Sequence, residues 1–299
     1  MAVEPDPSVQ RRLLRGELRR ARNAAGLKQA DVARAMDWSP SKLIRIESGD
    51  VRISTNDLRA LLTHYNVKDK ARVDTLLELA KSSRTGSFYD QFANDLKDGF
   101  RDYLAFEASA TVIRQYDPIL ISGLLQTEEY ARAILQDAYG VGRTGAERLW
   151  TVRQHRQELH DREDAPEMRF IIDEASIARQ VGPGGKTMHK QIERLRELAD
   201  EQHIVLQMLP FTVGANAGMA GTFVLLEFDD PNLDDLVHLE TVDQVTVKDD
   251  SDLIAEYGDR FQKLEELSLS VEDSKTFLEE YIDGRRGVDV RPPAVEVAD

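Results

Sequence analysis

Lys28-Gln29-Ala30-Asp31-Val32-Ala33-Arg34-Ala35-Met36, then Asp37-Trp38, then Ser39-Pro40-Ser41-Lys42-Leu43-Ile44-Arg45-Ile46-Glu47-Ser48-Gly49 is the stretch that decides the fold. It reads as two short helices joined by a tight turn. Val32, Ala33 and Met36 share one side of the first helix. Leu43 and Ile46 share one side of the second. Ser39 can cap the free amides of the second helix, and Pro40 at its first position loses no hydrogen bond. Gly49 is the expected stop. Helices joined this tightly cross steeply, so the crossing needs a small residue, and Ala33 supplies it. With Leu43 and Ile46 turned inward, Ser39, Ser41, Lys42 and Arg45 are left on the exposed face and N-terminal end.

Working outward, Leu13, Leu14, Leu18 and Ala21 recur at helical spacing until Gly26, and 55–65 and 68–83 read as a fourth and fifth helix. The first 84 residues carry 17 Lys/Arg and 11 Asp/Glu, whereas the remainder carries 22 and 43. The net charge of -15 over 299 residues therefore hides a basic head on an acidic body, an asymmetry that makes one end attractive to phosphate. A helix of this kind, lying in a major groove, meets base edges and phosphates. Arginine forks onto guanine, and serine is a less selective reader. Gln29 is placed to hold a phosphate oxygen, a contact that fixes register without reading sequence. Lys28, Gln29, Ser39, Pro40, Ser41, Lys42, Arg45 and Arg52 form the expected DNA-contacting set.

On these residues the chain resembles the Cro/repressor-like (xenobiotic-response-element) helix-turn-helix family over about residues 14–67. Two positions depart from that pattern. Lys28 stands where Ser or Thr is usual, which removes a cap worth about 1 kcal/mol. Asp37 stands at the turn where Gly is usual, and Asp tolerates the left-handed conformation less well.

From Thr85 the character changes. Residues 87–110 alternate aromatics and charges at helical spacing, Asp117-Pro118 breaks the run, and Thr127-Glu128-Glu129 opens another helix with a cap and an acidic first turn. A polar helix is expected over 146–162 and another over 187–200. Strand-like runs first appear at 168–172 and 204–209, followed by 222–228, 236–240 and 244–247. The last three are close enough for an antiparallel meander. Two helices, 252–269 and 271–282, close the body, with Ser270 and Asp273 as a cap-and-acid start. The expected fold class is α+β: an all-α five-helix DNA-binding head (1–84), then a mixed α+β body with a small, mainly antiparallel sheet (85–284), then a disordered tail (285–299).

The body has a resemblance of its own. Tyr116-Asp117-Pro118, Gly123-Leu124-Leu125-Gln126-Thr127-Glu128-Glu129-Tyr130-Ala131-Arg132, Asp173-Glu174-Ala175, Leu209-Pro210-Phe211 and Gly218-Met219-Ala220-Gly221-Thr222-Phe223 occur in this order. They are similar to the C-terminal domain of antitoxin-like transcriptional regulators from mycelial Gram-positive bacteria, over about residues 88–282. The resemblance implies a body that receives a signal, and a small partner protein encoded nearby. The Gly/Ala-rich apolar loop from Phe211 to Phe223 is the expected lid or contact surface for a partner or small-molecule effector, with Tyr130, Arg132, Phe211, Met219, Phe223 and Glu227 as its candidate residues.

Other chemistry finds little to build on. There are no cysteines, so thiolate, disulfide and Cys-zinc chemistry is excluded. Gly182-Pro183-Gly184-Gly185-Lys186-Thr187 suggests a phosphate-binding loop, but the required first glycine falls on Gln180, so a flexible turn before a helix is the better reading. His155 and His160 are five apart, on different sides of a helix, which is poor spacing for a shared metal. No Gly-x-Ser-x-Gly or His-Glu-x-x-His occurs. The expectation is a cytoplasmic homodimeric regulator of a DNA operator, nucleoid-associated when bound. It is expected to be a repressor with no enzymatic activity, cofactor, metal or membrane span. The alternative is an antitoxin-type protein that neutralises a small protein and binds DNA autoregulatorily.

Overall fold

A computed structural model describes residues 7–48, 51–82, 87–97, 99–230, 233–241 and 244–285. The chain divides into two compact units, Met1–Thr111 with Leu226–Asp250, and Val112–Leu225 with Ser251–Asp299.

In the first unit, five helices form the head: α1 (Pro7–Ala24), α2 (Gln29–Ala35), α3 (Pro40–Ser48), α4 (Thr55–His64) and α5 (Lys70–Ser82). All five expected helices are present, and their core is one cluster that includes Leu14, Leu18, Val32, Ala33, Leu43, Ile46, Leu58, Leu61 and Leu77. Three of them stop in the same way. Gly26 (φ 70°), Asp37 (φ 55°) and Asn66 (φ 60°) take the left-handed conformation just past α1, α2 and α4. Each following amide reaches back across the last turn: Leu27 to Arg22 O, Trp38 to Ala33 O, and Val67 to Leu62 O. This arrangement satisfies carbonyls that a helix end otherwise strands. The expected stop at Gly49, the boundary at 84/85 and the tail beyond Arg285 lie outside the described residues.

The helical run expected over 87–110 is interrupted. A 3-10 turn at Phe88–Phe92 is followed by α6 (Phe100–Glu107). The break is at Gly99, whose φ of 80° ends any continuous helix, and a side chain there would press on Val245 O at 3.2 Å. Tyr103 of α6 stacks on His238, ring centroids 3.8 Å apart, and donates to Glu107.

Strand β1 (Val112–Asp117) opens the second unit, followed by α7 (Glu128–Ala133) with a π turn, and α8 (Arg143–Gln157). Thr127 caps α7 as expected, accepting from the Tyr130 amide. Then come β2 (Glu167–Asp173), α9 (Glu174–Ala178), α10 (Lys186–Leu198) and β3 (Ile204–Leu209). The glycine-rich segment before α10 is a turn: Gly182, Gly184 and Gly185 all have positive φ, and what precedes it is helix α9 rather than a strand. β4 (Phe223–Glu227) spans the division of the units. β5 (Leu236–Glu240) and β6 (Val245–Lys248), which the sequence reading groups with the body, fall in the unit that contains the head. α11 (Ser251–Leu267) and α12 (Val271–Ile282) end the described chain, and Ser270 caps α12 by accepting from the Asp273 amide.

The fold is α+β, and its six-stranded sheet runs in the order β3-β2-β1-β4-β5-β6. β5 and β6 pair antiparallel, as the meander reading requires. The other side of the sheet is parallel, so the sheet is mixed: β1 pairs with β2, and β2 with β3. Helical crossovers make this possible, because a parallel pair needs a long connection. β1 is a strand the sequence reading misses. Its centre is polar, and buried Gln115 hides the apolar period while being satisfied by Ser122 at 2.8 Å and by Asp117.

Candidate nucleic-acid interface

The interface is set by how α3 is held. Leu43 is fully buried and Ile46 nearly so, and Ala33 is buried on α2, as the steep crossing requires. The α2–α3 turn depends on Asp37. Its amide donates to Arg34 O at 3.2 Å while that of Trp38 donates to Ala33 O at 2.8 Å. Glycine is the usual occupant of such a position because it has no Cβ to strain. Lys28 stands at the start of α2 without making a side-chain cap, so the departure noted in the sequence does cost the helix a hydrogen bond. Ser39 does cap α3, accepting from the Lys42 amide at 3.3 Å.

The end of α3 is locked from inside. Glu47, only 3% exposed, receives Arg22 Nε on one oxygen at 2.7 Å and Nη2 on the other at 3.0 Å. Arg22 Nη1 also donates to Leu27 O. Gln29 Nε2 adds a third bond to the same carboxylate at 2.7 Å. The Gln29 amide therefore turns inward to brace α2 on α3, where the sequence reading aimed it at phosphate. Burial, reinforced by the Glu47 charge, pushes the Tyr65 hydroxyl well above its ordinary pKa.

The outward face of α3 carries Ser39, Pro40, Ser41, Ile44 and Arg45, all exposed. Ser39 and Ser41 share a hydroxyl–hydroxyl bond at 3.1 Å. Ser41 and Arg45 are four apart, as are Pro40 and Ile44, so the face is one continuous strip. Lys42 is at its edge: Nζ lies 3.9 Å from the centroid of the Trp38 ring and donates to Asp57 at 3.1 Å. Lys28 and Arg52 are exposed. The sequence reading passes over Ile44, which is 49% exposed. Its signal is present in the sequence: with Leu43 and Ile46 filling the inward side, the residue between them must rotate outward. An exposed isoleucine there matches the apolar contact a thymine methyl accepts.

The residues proposed for the body lie in different settings. Phe211 and Met219 are 54% and 73% exposed, on two 3-10 turns. Glu174, itself buried, accepts from the Phe211 amide at 2.8 Å and from the Tyr281 hydroxyl at 2.7 Å, fixing the first turn. Gly218, beside Met219, packs directly on the Tyr116 ring. Tyr130 and Phe223 are core residues. The Tyr130 hydroxyl accepts from the Ile121 amide, and burial lifts its pKa to about 12. Phe223 packs among Tyr116, Tyr257 and Phe261. Arg132 is paired along α7 with Glu128 at 2.7 Å. Glu227 ends β4 in the other compact unit.

Among the described residues no group of three His, Asp or Glu is placed to hold a metal ion, and no helix is long and apolar enough to cross a membrane.

A family described as "Helix-turn-helix domain" matches residues 13–76. A second, described as "Domain of unknown function (DUF5753)", matches residues 100–280, more than half of the chain. No curated protein and no solved structure matches.

Proposed function

Because the chain belongs to the DUF5753 family and carries a helix-turn-helix DNA-binding domain, we propose that it is a sequence-specific transcriptional regulator that binds its operator as a homodimer and represses from it. The observation that carries this reading is the strip Ser39, Ser41, Ile44 and Arg45. It offers hydroxyls, a methyl-bearing side chain and a guanidinium on one exposed helix face, the chemistry needed for major-groove edges. Dimerisation follows from size, since one nine-residue helix offers too few contacts for specific affinity and a twofold axis doubles them. The reading gives the protein no catalytic role and a cytoplasmic location on the nucleoid.

In this reading the acidic body receives the signal through the exposed Phe211 and Met219 turns, from a small partner protein or a small-molecule effector. Two large exposed apolar side chains favour the protein partner, and the family resemblance of the body extends this to antitoxin-type neutralisation as the second reading. The test is footprinting of genomic DNA with the purified full chain. Two protected half-sites one helical turn apart support the reading, and absence of any salt-sensitive, sequence-dependent protection overturns it.

A further inference from the structure

Sulfur is unevenly placed in this chain. It has no cysteine and six methionines, so thioethers carry all of its sulfur chemistry. Met168, Met188 and Met208 are buried, at 0%, 3% and 0% exposure, and Met36 packs against the core of the head. Met1 lies outside the described residues. Met219 is 73% exposed, more than any other large apolar side chain among the described residues.

The loop that holds Met219 keeps it on display. Gly218 lies so close to the Tyr116 ring that a Cβ would overlap it, and its amide donates to the Asn216 side chain at 2.9 Å. The Gly221 amide donates to Gly218 O at 3.0 Å. The backbone is thus tied on both sides of residue 219. Residues 211–222 contain no charged side chain, and Phe211 on the neighbouring turn is 54% exposed. A change of polarity at residue 219 therefore falls on an otherwise uncharged, partly apolar surface.

We propose that Met219 is an oxidation site through which peroxide controls what docks on this turn. The thioether sulfur attacks one oxygen of hydrogen peroxide, and the S–O bond forms as the O–O bond breaks. The proton of the attacked oxygen passes to the departing one, which leaves as water. Sulfur gives up two electrons and peroxide takes them. The sulfoxide is a polar hydrogen-bond acceptor where a flexible apolar side chain stood, and methionine sulfoxide reductases reverse the change. A docked apolar partner loses its contact with the thioether and must strip water from the new oxygen without replacing the hydrogen bond. The buried methionines are spared, because an oxidant reaches them only when the surrounding structure opens. Control of docking rests on the partner reading above; the oxidation site itself does not.

The test exposes the full chain to hydrogen peroxide and follows the sulfoxide at each methionine by peptide mass spectrometry. Met219 is expected to oxidise at least about tenfold faster than Met36, Met168, Met188 and Met208, and methionine sulfoxide reductase should restore it. A rate no higher than theirs overturns the proposal. Native hydrophobic-interaction chromatography then reads the surface without any partner. The oxidised wild type should elute earlier than the untreated chain, whereas peroxide should not shift Met219→Leu, which keeps the bulk and loses the sulfur. No shift in the wild type, or an equal one in the variant, overturns the proposal. Partner capture is compared before and after peroxide for each chain. It should fall at least about fivefold for the wild type and stay at its own untreated level for Met219→Leu. Undiminished capture by the fully oxidised wild type leaves the oxidation site standing and overturns its control of docking. Capture of no partner by the untreated chain overturns the docking reading instead.

Discussion

Arg22 and Glu47 meet through two parallel hydrogen bonds, 2.7 and 3.0 Å long, which tie the last turn of α1 to the end of α3. Gln29 occupies a further lone pair of the same carboxylate, so one buried charge on α3 collects donors from both α1 and α2. Removing one partner leaves the other charged and nearly dry, a loss of about 3 kcal/mol. Arg22→Met and Glu47→Leu should each lower the urea midpoint by that order. The double variant should recover part of the loss, because no charge is left buried, although Gln29 Nε2 and Leu27 O still lose their partners. A double-mutant cycle by chemical denaturation checks this, and a coupling near zero rules out the pair as the clamp on α3.

Asp37 supplies a gain rather than a loss. It occupies a left-handed position at φ 55° that glycine enters without strain. Asp37→Gly is expected to stabilise the head by about 0.5–1 kcal/mol, since relief of Cβ strain outweighs the entropy glycine adds to the unfolded chain. Thermal unfolding should show a higher midpoint, and operator affinity should hold because the turn geometry is unchanged. A lower midpoint removes strain as the reason for the departure.

What could be read from the sequence divides along the range of the interactions. The caps at Ser39, Thr127 and Ser270 and the stop at Gly26 depend on neighbours within a few residues, and all four are where the local pattern puts them. The inward roles of Ala33, Leu43 and Ile46 follow from helical spacing in the same way. Glu47 was illegible because its partners lie 25 and 18 residues away. The parallel β1–β2–β3 arrangement was illegible for the same reason: strand choice is settled by non-local pairing, and Gln115 masks the apolar alternation of β1. The exposed face of α3 was legible by subtraction, and Ile44 was missed only because an isoleucine reads as core by default.

His160 links stability to pH. Its Nε2 lies 2.8 Å from Leu124 O and so carries the proton, while Nδ1 is buried without a partner. Burial holds its pKa below the ordinary 6.5, with the Leu124 bond opposing in part. The folded chain therefore prefers the neutral ring more than the unfolded chain does. This contribution is complete above about pH 6.5 and declines as pH falls below it. His160→Gln keeps a donor for Leu124 and does not titrate, so denaturation midpoints between pH 6.5 and 5 should fall less steeply than in the wild type. Equal slopes would exclude His160 as the source.

Gly218 carries the exposed Met219 turn. A Cβ at 218 would overlap the Tyr116 ring, whose hydroxyl donates at 3.2 Å to Asp173, the residue that caps α9. Relieving the overlap must displace the aromatic ring or lift the turn, at a cost of about 1–3 kcal/mol. Gly218→Ala should lower the melting temperature and, where a partner docks on Met219, weaken its capture. Met219→Ser should weaken capture alone, as its side chain is largely in solvent. Pull-down beside calorimetry separates the two effects, and undiminished capture by both variants excludes this loop as the docking surface.

The recognition strip makes a graded prediction, because Arg45 is exposed on it and Lys42 is half-buried at its edge. Lys42 already donates to Asp57 and sits over the Trp38 ring, so engaging phosphate requires exchanging an existing partner. Arg45 projects from the exposed face between Ile44 and the buried Ile46, where a fork can reach a guanine edge. Arg45→Ala should cost about 1–3 kcal/mol of operator affinity and relax specificity at one position of each half-site. Lys42→Ala should cost less than that, uniformly across sequences, and shift the salt slope by no more than about one ion per half-site. Ile44→Ser should lose discrimination at a thymine while leaving the slope unchanged, since no charge is involved. Electrophoretic titration against operator variants at several salt concentrations distinguishes the three. Equal losses for Lys42→Ala and Arg45→Ala would mean that both side chains contact only the backbone of the duplex, and that base reading lies elsewhere on the strip.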